Sequence, residues 1–205
     1  MRLVAKNVLK SSNVVVFFCA FLLCHLSVAQ DNVVQLDPAK TTVKFTLHDV
    51  LHTIHGTFRL KSGVIHFDPS TGEASGNVII DATSGESGNQ SRDKKMHKNI
   101  LQSQQYPTIE FSPKQVIGKV APQGSSQVQV KGTFQLHGSQ HDVTLALPVQ
   151  VTGDQLSATT HFDVPYEAWG LKNPSTLFLR VSNTVQIDIT AVGTFQAQHG
   201  TGVSR

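Results

Sequence analysis

The sequence has very little cysteine. Its only two cysteines, Cys19 and Cys24, lie among the first 29 residues. From residue 30 onward the chain therefore has no thiol for a disulfide, a thiolate metal site or a cysteine nucleophile. We expect that part of the chain to be stabilised by the packing of its core alone.

Charged residues are also scarce, at 15% of the 205 residues, and they are unevenly distributed. Three of the 17 basic side chains are Arg2, Lys6 and Lys10, and no acidic residue precedes Asp31. Without residues 1–29 the chain has 14 basic and 14 acidic side chains. This balance leaves no excess of positive charge for a nucleic-acid-binding face, so we expect no nucleic-acid partner.

The apolar run near the start of the chain is too short to span a bilayer. It has 13 residues, at positions 14–26, whereas a spanning helix needs about 20. Basic residues precede it, and small residues follow at positions 27 and 29, the −3 and −1 positions of a cleavage site. We therefore predict a secretory signal cleaved after Ala29, and a periplasmic or secreted protein. A retained anchor and a lipoprotein cleaved before Cys24 are weaker alternatives, because the run is short and residues 21–23 are bulky.

The rest of the chain alternates apolar and polar residues. Val43, Phe45 and Leu47 alternate with polar neighbours, and the same period of two recurs at residues 128–136, 143–151, 156–164 and 185–195. This pattern is typical of antiparallel strands that bury one face. We predict an all-β domain at residues 30–196, a closed or nearly closed antiparallel barrel of about eight strands, between the signal at 1–29 and a flexible polar tail at 197–205.

One stretch breaks the alternation. Met96, Ile100 and Leu101 have helical spacing, and Ser91 is a suitable N-cap. The spacing predicts a helix of about three turns over residues 91–101, near the mouth of the barrel. Two segments, 48–56 and the Gly/Ser-rich loop plus helix at 84–101, are expected to form a mobile gate.

Three histidines, His48, His52 and His55, have the spacing H-x3-H-x2-H. A zinc ion would need a further ligand and second-shell carboxylates, and Asp49 is the only acidic residue nearby. Ordinary loop histidines are therefore the preferred interpretation. We predict no metal and no other cofactor.

The sequence contains none of the motifs that mark a nucleophile elbow, a zinc protease or a phosphate-binding loop. An enzyme on a hydrophobic substrate would have His48 or Glu110 as its acid–base group. Alternation places Glu110 on the face opposite to Ile109 and Phe111, away from the interior. We predict a protein without catalytic residues.

An eight-stranded barrel is just wide enough to be filled by side chains or to hold one slender ligand. Strands of ten or more residues would make its interior about 30 Å long. Several apolar side chains could line that interior: Phe45, Phe58, Phe111, Phe134, Phe162 and Trp169. A packed core explains the same residues, so a filled barrel with a structural or interaction role stays open as the alternative.

Several segments together resemble the YceI-like family. They are residues 42–48, 56–58, 92–93, 106–112, and 130–138 followed by 143–147, and the resemblance spans roughly residues 33–195. It implies an extended, lipocalin-like, eight-stranded antiparallel barrel with one short helix near its mouth. The family's characterised members are exported bacterial proteins that hold long-chain isoprenoids or fatty amides in an internal tunnel.

The resemblance also implies which residues bind the ligand. It places Phe45, Phe58 and Phe111 on the tunnel wall, and His48, Arg92 and Asp93 near the ligand head or the loop around it. The complete candidate set is Phe45, His48, Phe58, Arg92, Asp93, Ile109, Phe111, Phe134, Phe162 and Trp169.

The late segment of the chain departs from the family's pattern. Many members carry an arginine before an aromatic–glycine pair, and that arginine is missing before Trp169 and Gly170. The head group is therefore not implied by the family. Arg92 remains the candidate partner for an anionic head, and the alternative is an ion pair with Asp93 or another loop carboxylate. We expect a long-chain apolar lipid as the partner, either an isoprenoid or a fatty amide or acid. Transient contact with a membrane and a dimeric state are further candidate properties.

Overall fold

Nine antiparallel strands form one sheet that closes into a barrel. The computed structural model describes residues 31–176 and 179–197. The strands are β1 Asn32–Leu36, β2 Thr42–His48, β3 Thr53–Phe67, β4 Ala74–Glu86, β5 Thr108–Ile117, β6 Gly124–Leu136, β7 Ser139–Thr152, β8 Gln155–Val164 and β9 Val185–Gln196. Pairing runs from β2 through β9, β8, β7, β6, β5 and β4 to β3, which returns to β2.

The two N-terminal strands share one place in the wall. Both lie between β3 and β9: β1 pairs Val34 with Ile65 and Phe195, and β2 pairs Val43 with Phe58 and Ile189. The nine strands therefore occupy eight places around the barrel. The predicted eight-stranded antiparallel barrel with one short helix is confirmed.

The predicted helix is present, but its start and its geometry differ from the prediction. An α-helical turn, α1, covers Gln90–Lys95, and a π-helical segment continues it over Met96–Leu101. The N-cap is Asn89, whose side chain accepts a hydrogen bond from the backbone N–H of Arg92, and the predicted N-cap Ser91 lies inside α1. The expected loop at 84–90 is also shorter, because β4 continues to Glu86.

Two buried clusters close the ends of the barrel. The base cluster starts at the end with the β3–β4, β5–β6 and β7–β8 turns, where it includes Val34, Phe67, Val116, Val128, Val151 and Phe195. It extends along β2, β3 and β4 to Val43, Leu60 and Ile80. The cap cluster lies at the end with the helix, and consists of Leu136, Val164, Tyr166 and Leu171. Ile100 and Leu101 of the π-helical segment pack against the cap cluster, so the helix helps to cover this end.

The predicted signal at residues 1–29 and all but the first residue of the predicted tail at 197–205 lie outside the described residues. Within 31–176 and 179–197, no helix has both the length and the apolar character that crossing a membrane requires.

Candidate functional site

Between the two clusters lies a ring of inward-facing apolar side chains, here called the middle layer. It consists of Phe58, Phe111, Phe134, Phe162, Ile187 and Ile189. Each is half-buried, although Val43, Phe45 and Thr160, which lie opposite members of the layer in the ladders, are buried. The layer contacts the base cluster through Phe58, Phe111 and Ile189 and the cap cluster through Phe134, Phe162 and Ile187. Ile109 packs against both clusters.

An aromatic group lies where the middle layer meets the cap. The ring centroid of Phe134 is 5.9 Å from that of Phe162 and 5.7 Å from that of Trp169. Trp169 stacks face to face on His141, with centroids 4.0 Å apart and planes inclined by 3°. Four side chains from β6, β7, β8 and the segment after β8 are thus brought together.

Phe45 and Phe58 form a second aromatic pair, on β2 and β3, with ring centroids 5.4 Å apart. The Phe45 ring covers Gly56, where a Cβ atom would lie 2.2 Å from the ring. Glycine is required there because the ring occupies the space of a side chain. Phe45 and Gly56 also reach a cleft of about 880 Å³ whose other lining residues are polar, among them Lys44, Glu86 and Asp188.

Arg92 and Asp93 both bind Ser87 in the loop between β4 and α1. The Arg92 guanidinium donates to the Ser87 hydroxyl at 2.7 Å and to its carbonyl at 2.8 Å. Asp93 accepts hydrogen bonds from the Ser87 hydroxyl and from its backbone N–H, the latter at 3.0 Å. Within the described residues the two side chains meet at Ser87 and form no ion pair with each other. Their role in this structure is to hold the loop against α1.

The three closely spaced histidines do not converge. His48 is exposed and shares a hydrogen bond of 3.0 Å with Thr53, across the β2–β3 hairpin. His55 shares one of 3.1 Å with Thr46, and His52 lies 3.5 Å from the Asp49 carboxylate. Among residues 31–176 and 179–197 no three His, Cys, Asp or Glu side chains are grouped as metal ligands would be. His48 is therefore separated from the aromatic candidates of the interior.

The β2–β3 turn exposes two adjacent apolar side chains. Val50 is 64% exposed and Leu51 is 73% exposed. The Asp49 carboxylate braces the turn by accepting the backbone N–H groups of Leu51 and His52, each at 2.7 Å. The hydrogen bond from Leu51 is the main cause that lowers the pKa of Asp49 below its usual range. The turn is thus a defined structure that projects apolar residues at the cap end, since Leu47 beside it packs on the cap cluster.

Tyr166 fixes the connection between β8 and β9, which lies at the cap end. Its hydroxyl donates a hydrogen bond of 2.5 Å to the carbonyl of Ser182, which ties the two ends of that segment together. Burial, with a smaller effect of the Glu167 charge, raises the pKa of Tyr166 to about 12. Tyr166 and Leu171 belong to the cap cluster, against which Phe134, Phe162 and Trp169 pack, so this hydrogen bond fixes residues beside the aromatic group.

His141 is the interior residue that the sequence analysis missed. It lies on β7 directly opposite Phe134, and its Nε2 atom is buried without a hydrogen-bond partner. The sequence pattern does indicate an inward-facing His141. It precedes Val143 and Leu145 at the same period of two and so extends the inward face of that strand. Glu110, by contrast, lies on the face opposite to Phe111 and accepts hydrogen bonds from Thr108 and Asn77.

These observations define a closed antiparallel barrel with an apolar interior and a covered end. The family model for the YceI-like domain matches residues 34–193. The chain belongs to the YceI-like domain family, and the resemblance found in its sequence is confirmed.

Relatives and solved structures agree with this assignment. A UPF0312 protein of Vibrio cholerae is 28% identical over 120 residues, which are 57% of this chain and 61% of the relative. The alignment thus spans about three-fifths of the length of the curated relative.

Two solved structures share the fold. BcnA of Burkholderia cenocepacia has a TM-score of 0.62 at 19% identity, covering 77% of this chain and 98% of that one. A polyisoprenoid-binding domain from Saccharophagus degradans, described as implicated in plant cell wall breakdown, has a TM-score of 0.59 at 18% identity, covering 80% and 98%. At these identities the likeness extends to the fold alone.

Proposed function

We propose that the protein binds a long-chain apolar lipid, an isoprenoid or a fatty chain, inside its barrel. The observation that carries the proposal is the middle layer, whose inward-facing aromatic and aliphatic side chains keep uncovered surface between two packed clusters. Contact with an apolar chain would remove this remaining surface from water, which is favourable. Membership of the YceI-like family and the likeness to a polyisoprenoid-binding domain support the same function.

The proposed ligand site is shorter than the interior that the sequence suggested. The base cluster fills the far end, so the 30 Å expected for the whole interior is not available. On β9 the half-buried inward positions run from Val185 to Ala191, a rise of about 20 Å along the strand. With the usual tilt of strands in a barrel this gives about 15 Å along the axis. A longer chain must fold back or extend out of the barrel.

Binding rather than catalysis is proposed because the acid–base candidates do not face the middle layer. Glu110 is held on the opposite face of β5 by Thr108 and Asn77, and His48 is exposed at the β2–β3 hairpin. Neither is placed to act on a ligand in the interior.

The proposal includes export to the periplasm or the medium. It rests on the signal-like residues 1–29 and on the cysteine-free remainder of the chain. N-terminal sequencing of the protein recovered from periplasm or medium tests it. A mature N-terminus at Gln30 is expected, and recovery of the uncleaved chain in the cytoplasm would contradict it.

Transient membrane contact is proposed through the β2–β3 turn. Val50 and Leu51 project from a braced turn at the cap end, and burial of such side chains in a bilayer surface is favourable. Co-sedimentation with anionic phospholipid vesicles should fall when both residues are changed to serine. The same change at exposed Ile117, at the base end, is the matched control and should have no effect.

Lipid binding itself is tested on protein purified from its own host. Native mass spectrometry should show added mass from a lipid, which extraction then identifies, and the same spectra give the oligomeric state. A matched pair of variants locates the site: Ile189→Glu places a charge in the middle layer, and Thr190→Glu places it on the outer face of the same strand. Loss of lipid in the first variant only is expected. A protein that carries no lipid and takes up no long-chain polyprenol would refute the proposal.

A further inference from the structure

Two neighbouring strands of the barrel, β7 and β8, are paired over only part of their length. The β7–β8 ladder begins beside the turn, with Thr152 opposite Gln155, and ends with Val149 opposite Ala158. Both strands continue toward the cap, β7 to Ser139 and β8 to Val164. The β4–β5 ladder also has only four pairs, but an isolated bridge between Glu73 and Gln115 follows it, whereas no bridge among the described residues continues the β7–β8 ladder. The stretch between residues 139–148 of β7 and 159–164 of β8 is here called the seam.

The seam does not reflect disorder of either strand. On its other side β7 pairs with β6 along its length, from Val151 to Ser139. Likewise β8 pairs with β9 from Gln155 to Val164. The continuous β6–β7 and β8–β9 ladders therefore lie on the two sides of the seam, and the strand edges that face the seam are unpaired.

The sequence supplies a local cause for the seam. Pro148 immediately precedes Val149, the residue of β7 at which the ladder with β8 stops. Proline has no N–H to donate to a ladder, and it is tolerated in strands mainly at an edge or a bulge. Over residues 139–148, the side of β7 that faces β8 is therefore like the edge of a sheet, although the strand lies in the wall of a barrel.

Buried polar atoms without partners lie on both strands of the seam. Among the described residues, three buried side-chain polar atoms lack a hydrogen-bond partner, and two of them are His141 Nε2 on β7 and Thr160 Oγ1 on β8. Thr160 is only 8% exposed. An unpaired buried donor or acceptor is costly, so such groups usually mark a missing partner.

Trp169 covers the seam at the cap end. It belongs to the segment that follows β8, yet it stacks on His141 of β7 and contacts Phe134 of β6. Its indole therefore lies against the β6–β7 side of the seam, while it also packs against the cap cluster, which includes Val164 of β8. Behind it lies Phe162 of the middle layer, 5.9 Å from Phe134.

We propose that the seam is the lateral portal of the lipid site, and that it binds a lipid with one hydrogen-bonding end group. The apolar chain passes between β7 and β8 to the middle layer, and Trp169 is displaced from the seam during entry. The end group, an alcohol, amide or carboxyl, stays at the seam and supplies the missing partner of His141 or Thr160. The proposal rests on the lipid-binding function proposed above. It follows from the packing at both ends, which leaves the wall as the direct route to the middle layer.

A cross-link across the seam tests the portal. Thr144 on β7 and Asp163 on β8 are exposed and lie on opposite sides of the seam. The variant T144C/D163C is joined by a short bifunctional thiol reagent, with Cys19 and Cys24 changed to serine in all proteins. The control K131C/T144C uses the same β7 position but joins it to its paired neighbour on β6.

The experiment measures the rate of geranylgeraniol uptake. Uptake is monitored through the change in fluorescence of Trp169, the only tryptophan of the chain. The cross-link across the seam should slow uptake at least tenfold, and the control cross-link should leave it within twofold of the uncross-linked protein. Equal uptake in both cross-linked proteins overturns the portal while leaving lipid binding intact. No uptake by any of the proteins, including the uncross-linked one, overturns lipid binding and the portal together.

A second variant tests the polar part of the proposal. Thr160→Val keeps the shape of the side chain and removes the unpaired hydroxyl, so it should fold at least as stably as the original. Affinity for geranylgeraniol should fall about fivefold, as expected for one neutral hydrogen bond, and affinity for a hydrocarbon of the same chain length should not change. An equal effect on both ligands would overturn the role of Thr160.

Discussion

The middle layer makes a sharp prediction about the cost of removing an aromatic ring. Phe111 and Phe195 are both inward-facing phenylalanines, but Phe111 is half-buried, whereas Phe195 is 6% exposed and stacks on Phe67 with centroids 6.4 Å apart. Truncating a phenylalanine in a packed core costs about 3–5 kcal/mol, since the lost transfer free energy adds to the cost of a new cavity. Where a ring borders open space, as the proposed lipid site requires of Phe111, the cavity contribution is small.

For Phe195→Ala we therefore expect a loss of about 3–5 kcal/mol in the free energy of unfolding. For Phe111→Ala we expect only about 1–2 kcal/mol, which is the transfer contribution of a partly buried ring. A difference of about 2 kcal/mol corresponds to about 4–8 °C in Tm for a domain of this size.

The assay is urea and thermal unfolding of delipidated protein, followed by circular dichroism. Delipidation matters because a lipid bound only to the folded state would raise the stability of the original protein. The same variants are compared for polyprenol uptake, which Phe111→Ala should impair more than Phe195→Ala. Equal losses of stability in the two variants would refute the reasoning, because the middle of the barrel would then be packed as tightly as its base.

Three further predictions concern the cap and the loops. Tyr166 should titrate near pH 12 by near-UV absorbance, so its contribution to stability is complete below about pH 10 and lost as the pH rises toward 12. Tyr166→Phe should cost about 1 kcal/mol in urea unfolding, and an unchanged stability would contradict the role of its hydrogen bond. The lowered pKa of Asp49 means that it braces the β2–β3 turn fully above about pH 4 and releases it as the pH falls through that lowered value. The NMR shift of the Leu51 amide should follow this titration, and should be insensitive to acid in Asp49→Asn. Arg92→Gln should raise the rate of amide hydrogen exchange around Ser87. It should weaken the binding of an anionic lipid and of the corresponding neutral alcohol equally. A selective loss of affinity for the anionic lipid would instead assign Arg92 to the head group.

The barrel was predictable because alternation survives wherever a strand keeps its register. Residues 128–136 and 143–151 alternate cleanly and form β6 and β7 as expected. The long strand β3 was harder to see, since register shifts between Thr57 and Arg59 and between Leu60 and Ser62 interrupt its pattern. Strand β1, only five residues long, gave too short a pattern to detect.

The helix was predicted from Met96, Ile100 and Leu101, but the π-helical geometry was not. A π turn brings residues five apart together, and here it is held by tertiary contacts: His97 binds the Gly85 carbonyl at 2.8 Å and the Ser103 hydroxyl at 3.0 Å. Such contacts join residues that sequence periodicity treats as unrelated. The seam was likewise not predicted, because the pairing of two strands depends on both, and Pro148 alone could equally mark a bulge.

The shared place of β1 and β2 has a consequence for the order of folding. Both strands pair with β9, which also pairs with β8, so the N-terminal and C-terminal parts of the domain meet only when β9 is added. Until then the preceding strands form at most an open sheet, with β8 at one edge and β1 and β2 at the other. Closing contacts between residues about 150 positions apart is slow, and open edges are prone to aggregation. A chain released without β9 would therefore be a substrate for chaperones and proteases rather than a weaker version of the barrel.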